Sequence, residues 1–117
     1  ELSGGMRQRI ALIRTHLFSK DVSLLDEPFS ALDAITKDEM HDWYMNMRRK
    51  YNTSTIFITH DVDEAILLSD RIYILGDGDI KTEIKIEASV RDNSFKLTKE
   101  FLEYKKSVIG CLESGNT

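Results

Sequence analysis

Val22-Ser23-Leu24-Leu25-Asp26-Glu27-Pro28 reads as a short buried strand, Val22 to Leu25, that stops at two adjacent carboxylates, with a proline that ends ladder pairing. The acids therefore stand at the C-terminal end of a strand. Downstream, Thr55-Ile56-Phe57-Ile58-Thr59 is β-branched and aromatic enough for a second buried strand, and it ends at His60. Between the two, Asp33 and Thr36 are both good N-caps, and Thr36 with Glu39 has the spacing of a capping box. The helix that follows is expected to bury Met40, Trp43, Tyr44, Met47 and Tyr51. Strand, helix and strand with polar residues at both strand ends argue for an α/β fold with parallel members, whose ligands gather where strands stop.

Further out, Met6, Ile10, Ile13 and Leu17 fall on one side of a helix whose N-terminus carries Ser3-Gly4-Gly5. Asp61 and Glu64 are spaced to start a short helix through Ala65 and Leu68. Arg71 to Leu75 and Ile80 to Ile86 read as strands of a hairpin around Gly76-Asp77-Gly78-Asp79. Phe101, Tyr104, Val108 and Leu112 mark a final amphipathic helix before the polar tail Glu113 to Thr117.

Composition narrows the partners. A hydrophobic share of 41% beside 31% charge suits a globular chain, and no apolar run approaches the roughly 18 residues of a membrane span. The net charge of −4 offers no footprint for a polyanion, and Arg48-Arg49-Lys50 reads as a solvated helix end, so no nucleic-acid partner is expected. Cys111 is the single cysteine, which rules out an internal disulfide and fits a reducing compartment. The chain opens at Glu1, directly before a dense motif, and reads as a fragment.

Each candidate site has a bland and a chemical reading. Asp26 and Glu27 suit one oxygen ligand for Mg²⁺ and one base for an attacking water, or they merely close a strand before a proline turn. Ser3-Gly4-Gly5 presents backbone N–H groups and a helix dipole to an anion, or serves as a simple N-cap. His60 is placed to donate to a terminal phosphate, or is a satisfied structural residue. His16 and His41 lack metal-like spacing and read as structural.

In combination these residues say more. Leu2-Ser3-Gly4-Gly5-Met6-Arg7-Gln8-Arg9, Leu24-Leu25-Asp26-Glu27-Pro28, Ser30-Ala31-Leu32-Asp33 and Ile58-Thr59-His60-Asp61 resemble, in order and spacing, the signature, Walker B, D-loop and H-loop of the ABC ATPase family. The resemblance covers residues 1–87, the C-terminal part of the ATPase core, and leaves 88–117 as a C-terminal helical extension. It implies a partial P-loop NTPase (RecA-like) α/β sheet with flanking helices, without its Walker A half.

The resemblance further implies ATP and Mg²⁺ as cofactors. Asp26 would hold the metal through its water shell, Glu27 would polarise the attacking water, and His60 would contact the γ-phosphate. Family members act as head-to-tail dimers, so Ser3, Gly4, Gly5 and Met6 would close over the ATP of a second ATPase subunit, with Asp33 communicating across the interface. The implied setting is the cytoplasmic face of a membrane, bound to a transmembrane permease.

Met6 stands where many members have glutamine, and Ser23 interrupts the aliphatic Walker B strand. No glycine is followed by lysine, so no G-x-x-x-x-G-K-[ST] loop is present in these residues. In the family's fold the Walker A strand lies between the His60 strand and the strand at Arg71. The isolated chain is therefore expected to expose strand edges, to self-associate, and to be inactive alone. Asp26 through Asp33 with Ala34 and Thr36 looks like bacterial import ATPases, and Ser89-Val90-Arg91-Asp92 leading to Phe101-Leu102 is similar to the tail of nitrate, sulfonate, taurine and thiamine-precursor importers. A soluble ABC ATPase of DNA repair or translation, and a truncated non-enzymatic interaction module, are the competing readings.

Overall fold

A computed structural model describes residues 23–51, 54–76, 78–88 and 91–114. Strand β1 (Ser23–Asp26) is followed by helix α1 (Ala34–Tyr51), strand β2 (Thr55–Ile58), helix α2 (Val62–Leu68), strands β3 (Arg71–Gly76) and β4 (Asp79–Lys85), a 3₁₀ turn (Asn93–Leu97) and helix α3 (Lys99–Ser114). The mixed α/β class and the order of these elements agree with the sequence. The expected helix from Met6 to Leu17 lies outside the described residues, as does Val22 at the start of the first strand.

The described strands form two separate pairs. β1 and β2 run parallel, with Leu24 opposite Ile56, Leu25 opposite Phe57 and Asp26 opposite Ile58. β3 and β4 form an antiparallel hairpin. Both members of the parallel pair were expected to be buried. Leu25 is instead 36% exposed and all of β2 is half-buried, because each of these strands has one strand neighbour among the described residues.

The hairpin has its own local logic. Gly76 pairs with Asp79 across the turn, and Gly78 takes a φ of 80°, a conformation that side chains disfavour. Register shifts between Ile74, opposite Thr82, and Leu75, opposite Ile80, so Lys81 is the extra residue of a bulge. A side chain at position 76 would meet the Lys81 stem at 2.9 Å, so the bulge also accounts for glycine there.

The core is centred on α2. Ile66, Leu67 and Leu68 are almost wholly buried, packed with Ile72, Ile74 and Ile86 of the hairpin segment and with Phe95, Phe101 and Val108 from the C-terminal segment. Phe95 meets Phe101 edge-on with centroids 5.4 Å apart. The 3₁₀ turn, which hydrophobic periodicity does not reveal, is capped by Asp92, whose side chain accepts from the Ser94 amide. Hydrogen bonds from the Ser94 side chain and backbone hold the Asp92 carboxyl below its ordinary value of 3.8.

Polar clasps close the exit of α2. Arg48 donates to the Leu68 carbonyl at 2.8 Å, and Arg91 donates to the carbonyls of Ile66 and Ser69, so carbonyls left over at the helix end find partners. Both guanidinium groups also pair with Asp70. Desolvation works against the Asp70 charge, but hydrogen bonds and charge from Arg91 and Arg48 prevail and leave its carboxyl below the ordinary 3.8.

α1 is where the sequence expectation fails in part. Its start falls in the expected window, but Asp33 is the cap: its carboxylate accepts from the Thr36 amide at 2.9 Å and the Thr36 hydroxyl at 3.0 Å, so Thr36 sits inside the helix. The buried face is also turned. His41 and Met45 are buried, Tyr44, Met40 and Met47 are half-buried, and Trp43 is 54% exposed. Hydrophobic periodicity places every apolar residue inward, whereas here two polar residues, His41 and Arg48, take inward positions because α2 supplies partners for both.

Because Leu67 is 1% exposed and Leu97 is 89% exposed, truncating them should separate core from surface. Leu67→Ala is expected to lower unfolding free energy by roughly 2–5 kcal/mol and Leu97→Ala by less than about 0.5 kcal/mol in urea melts. Equal losses would contradict this placement of the core.

Candidate functional site

The parallel register of β1 and β2 brings their C-terminal ends level, with Asp26 opposite Ile58. The Glu27 amide donates to the Ile58 carbonyl at 2.8 Å, which extends the pairing one residue past the strand. Glu27 then turns sharply, with φ at 47°, the one positive φ at a non-glycine among the described residues. That left-handed backbone, directly before a proline that disfavours helical geometry in its predecessor, costs about 1–3 kcal/mol. Such strain persists where surrounding contacts over-determine it.

Those contacts are visible. The Glu27 carbonyl accepts from the Ser30 amide at 3.3 Å and from its hydroxyl at 3.1 Å. Phe29, 5% exposed, anchors the turn by packing edge-on against His41 and Tyr44, and Tyr44 in turn packs against Phe57 of β2. The Asp26-Glu27-Pro28 step is thus fixed from the strand side by a backbone bond and from the helix side by an aromatic row.

His60 is held just as closely. Ile58 before it is paired, and Asp61 after it caps α2 by accepting from the Glu64 amide at 3.1 Å. The Asp61 amide itself donates to the Thr59 hydroxyl at 3.0 Å. The imidazole Nε2 lies 3.5 Å from Glu27 Oε1, beyond the usual 2.7–3.2 Å of a hydrogen bond, with the ring largely exposed and Glu27 half-buried. Asp26, exposed, occupies the same rim. Two carboxylates and an imidazole therefore gather on one edge of a parallel strand pair, open to a ligand.

Asp33 sits away from that rim, exposed at the N-terminus of α1. Hydrogen bonds from the Thr36 amide and hydroxyl hold its carboxyl below the ordinary 3.8. Ser3, Gly4, Gly5 and Met6 lie outside the described residues. Among the described residues, no group of three or more His, Cys, Asp or Glu side chains comes together as a metal cage.

Two residues that pattern-reading passed over are also central. Glu64, which spacing assigned to a capping box, does not reach back to Asp61; it is 3% exposed and its Oε2 lies 2.8 Å from His41 Nε2. His41 is equally buried, and its Nδ1 has no hydrogen-bond partner among the described residues. Burial opposes the Glu64 charge, but hydrogen bonds from His41 and Thr59 and the charges of His41 and Lys37 outweigh it, leaving the carboxyl below its ordinary 4.5. Twenty-three positions separate the partners, so no local spacing could reveal them.

Related proteins settle the family. The chain is 39% identical over 116 residues to the formylaminopyrimidine import ATP-binding protein ThiZ of Halalkalibacterium halodurans, which covers 95% of this chain and 47% of that protein. It is 42% identical over 115 residues to the aliphatic sulfonates import ATP-binding protein SsuB of Bacillus cereus, covering 98% and 46%. It is 36% identical over 126 aligned positions to the nitrate import ATP-binding protein NrtD of a Synechocystis strain, covering 100% and 47%. The chain belongs to the ABC import ATP-binding family. No family model matches it. It spans about half the length of these curated relatives. ABC ATPases are P-loop proteins, which agrees with the resemblance drawn from the four motifs. Among the described residues, no helix is long and apolar enough to cross a membrane.

The Asp33 cap makes a prediction with a definite sign. Its carboxyl titrates lower folded than unfolded, so its support for α1 is fully present above about pH 4 and fades as pH falls through the folded value. Carboxyl NMR is expected to show a midpoint below 3.8, and Asp33→Asn, which keeps an accepting oxygen, should remove that part of the acid-induced loss of stability. A midpoint above the ordinary value would contradict the observed cap.

Proposed function

We propose that this chain carries the catalytic rim of an ATP-hydrolysing subunit that energises an ABC importer. One observation supports the reading above the others: Asp26, Glu27 and His60 converge where β1 and β2 end, with Glu27 and His60 facing each other at 3.5 Å. In an open α/β sheet this is where a nucleotide is bound.

In this reading Glu27 accepts from and orients the attacking water, while His60 donates to the terminal phosphate. The 3.5 Å gap suits two groups that address neighbouring atoms of a ligand rather than each other. Asp26 is the carboxylate toward Mg²⁺. The lack of a protein cage among the described residues fits that ion, which is commonly held by one or two carboxylates with water and phosphate oxygens. When bound, Mg²⁺ neutralises charge on the phosphates. Phosphoryl transfer asks for position and charge neutralisation more than covalent help, and the strained, tightly held Glu27 turn supplies position.

The remaining assignments follow the same logic. Residues 1–87 belong to the ATPase core and 88–117 to a helical extension that docks through Phe95, Phe101 and Val108. Ser3, Gly4, Gly5 and Met6 close on the ATP of a second subunit, with Asp33 at the interface between the two. A transmembrane permease holds the complex at the cytoplasmic face of the membrane. The names of the relatives place the cargo among small molecules such as sulfonates, nitrate or a pyrimidine. The 117 residues alone, having no G-x-x-x-x-G-K-[ST] loop, are not expected to turn over ATP.

Glu27→Gln in the full-length subunit tests the reading. Steady-state turnover is expected to fall by roughly 10²–10⁴-fold, the usual worth of a positioned base, while ATP still binds with near-normal affinity. Turnover within a fewfold of the unsubstituted subunit would overturn the role of Glu27.

A further inference from the structure

The joint between α1 and α2 is made by polar side chains at helical intervals. Lys37 faces Asp61 at 3.9 Å, His41 faces Glu64 at 2.8 Å, and Arg48 donates to the Leu68 carbonyl at 2.8 Å. The outer two contacts are partly solvated, but both members of the middle pair are 3% exposed. An apolar pair would also hold two helices together. A directional bond does something more, because it fixes the rotation of each helix relative to the other.

Glu64 is also joined to the candidate site. Its carboxylate takes a hydrogen bond from Thr59, the residue directly before His60, and the Thr59 hydroxyl in turn accepts from the Asp61 amide directly after it. The bend that presents His60 is thus gripped on both sides by groups that depend on Glu64 and Asp61. At the other end of the chain of contacts, His41 lies on the helix that Asp33 caps, and its ring packs edge-on against Phe29 of the Glu27 turn at 4.9 Å.

We propose that Glu64 is a positioning residue: braced by His41 from α1, its carboxylate sets the Thr59–His60 step, and so ties the placement of the His60 imidazole to the helix that begins at Asp33. The inference rests on the reading of His60 as the group that meets the terminal phosphate. It assigns to a buried His–Glu couple the task of making His60 respond to movement at the Asp33 end of α1. Substrate affinity is set elsewhere, so loss of the brace should act on turnover and leave ATP binding nearly unchanged.

The test compares four variants of the full-length subunit by steady-state ATPase kinetics and thermal melting. His41→Leu keeps the helices packed but removes the donor to Glu64; kcat is expected to fall roughly tenfold or more, with KM for ATP within about twofold. His41→Gln, whose amide reaches as far as Nε2, should restore most of that kcat. Thr59→Val preserves shape and the buried pair and should lower kcat in the same way, which keeps the test decisive where His41→Leu fails to fold. His60→Ala reports on the underlying reading. If His60→Ala loses turnover while folded His41→Leu and Thr59→Val keep it, with changes in melting alone, the positioning role is overturned and the functional reading stands. If His60→Ala keeps full turnover, the functional reading falls and the inference falls with it.

Discussion

The hydrogen bond from the Glu27 amide to the Ile58 carbonyl, 2.8 Å long, is the constraint from which the rest of the candidate site follows. It continues the parallel pairing of β1 and β2 one step beyond the strands, so the chain leaves β1 level with the point where it leaves β2. Once those exits are aligned, Asp26, Glu27 and His60 have little freedom to be apart. Parallel strands require a crossover between them, and here α1 is that crossover. Its start is fixed by Asp33 and its inward face by His41, Tyr44 and Met45. The turn after Glu27 pays a conformational penalty that Phe29 and Ser30 contacts offset.

A second layer of the structure is built from polar groups that are buried with partners. Arg48 and Arg91 close the end of α2, and His41 meets Glu64 inside the core. Each of these would be costly alone, since a desolvated charge or donor without a partner loses more than a made hydrogen bond returns. Paired, they select one arrangement of α1, α2 and the C-terminal segment. The depressed carboxyls of Glu64 and Asp70 show the same balance, with burial opposing ionisation and neighbouring donors and cations prevailing.

Much of this was legible in the sequence. The positions of Asp26, Glu27 and His60 at strand ends, the paired Gly-Asp steps of the hairpin and the Asp61 cap of α2 all follow from local chemistry, and the structure has them where that chemistry puts them. The α1 face was misread at Trp43 because apolar periodicity cannot anticipate that Glu64 and the end of α2 would draw His41 and Arg48 inward. The left-handed turn at Glu27 was invisible for a related reason: no glycine marks it, and tertiary contacts impose it. The 3₁₀ turn at Asn93–Leu97 is set by a side-chain cap and one buried phenylalanine, which give no period to detect. Family resemblance supplied roles that geometry alone would have left open, and the relatives confirm the family while leaving those roles to experiment.

The most direct test of the central claim is a crystal structure of the full-length subunit with a non-hydrolysable ATP analogue and Mg²⁺. The account predicts the terminal phosphate within hydrogen-bond reach of His60 Nε2, Asp26 toward the metal's water shell, and Glu27 facing the position of the attacking water. A nucleotide bound with its phosphates turned toward another surface, leaving the ends of β1 and β2 open to solvent, would contradict it.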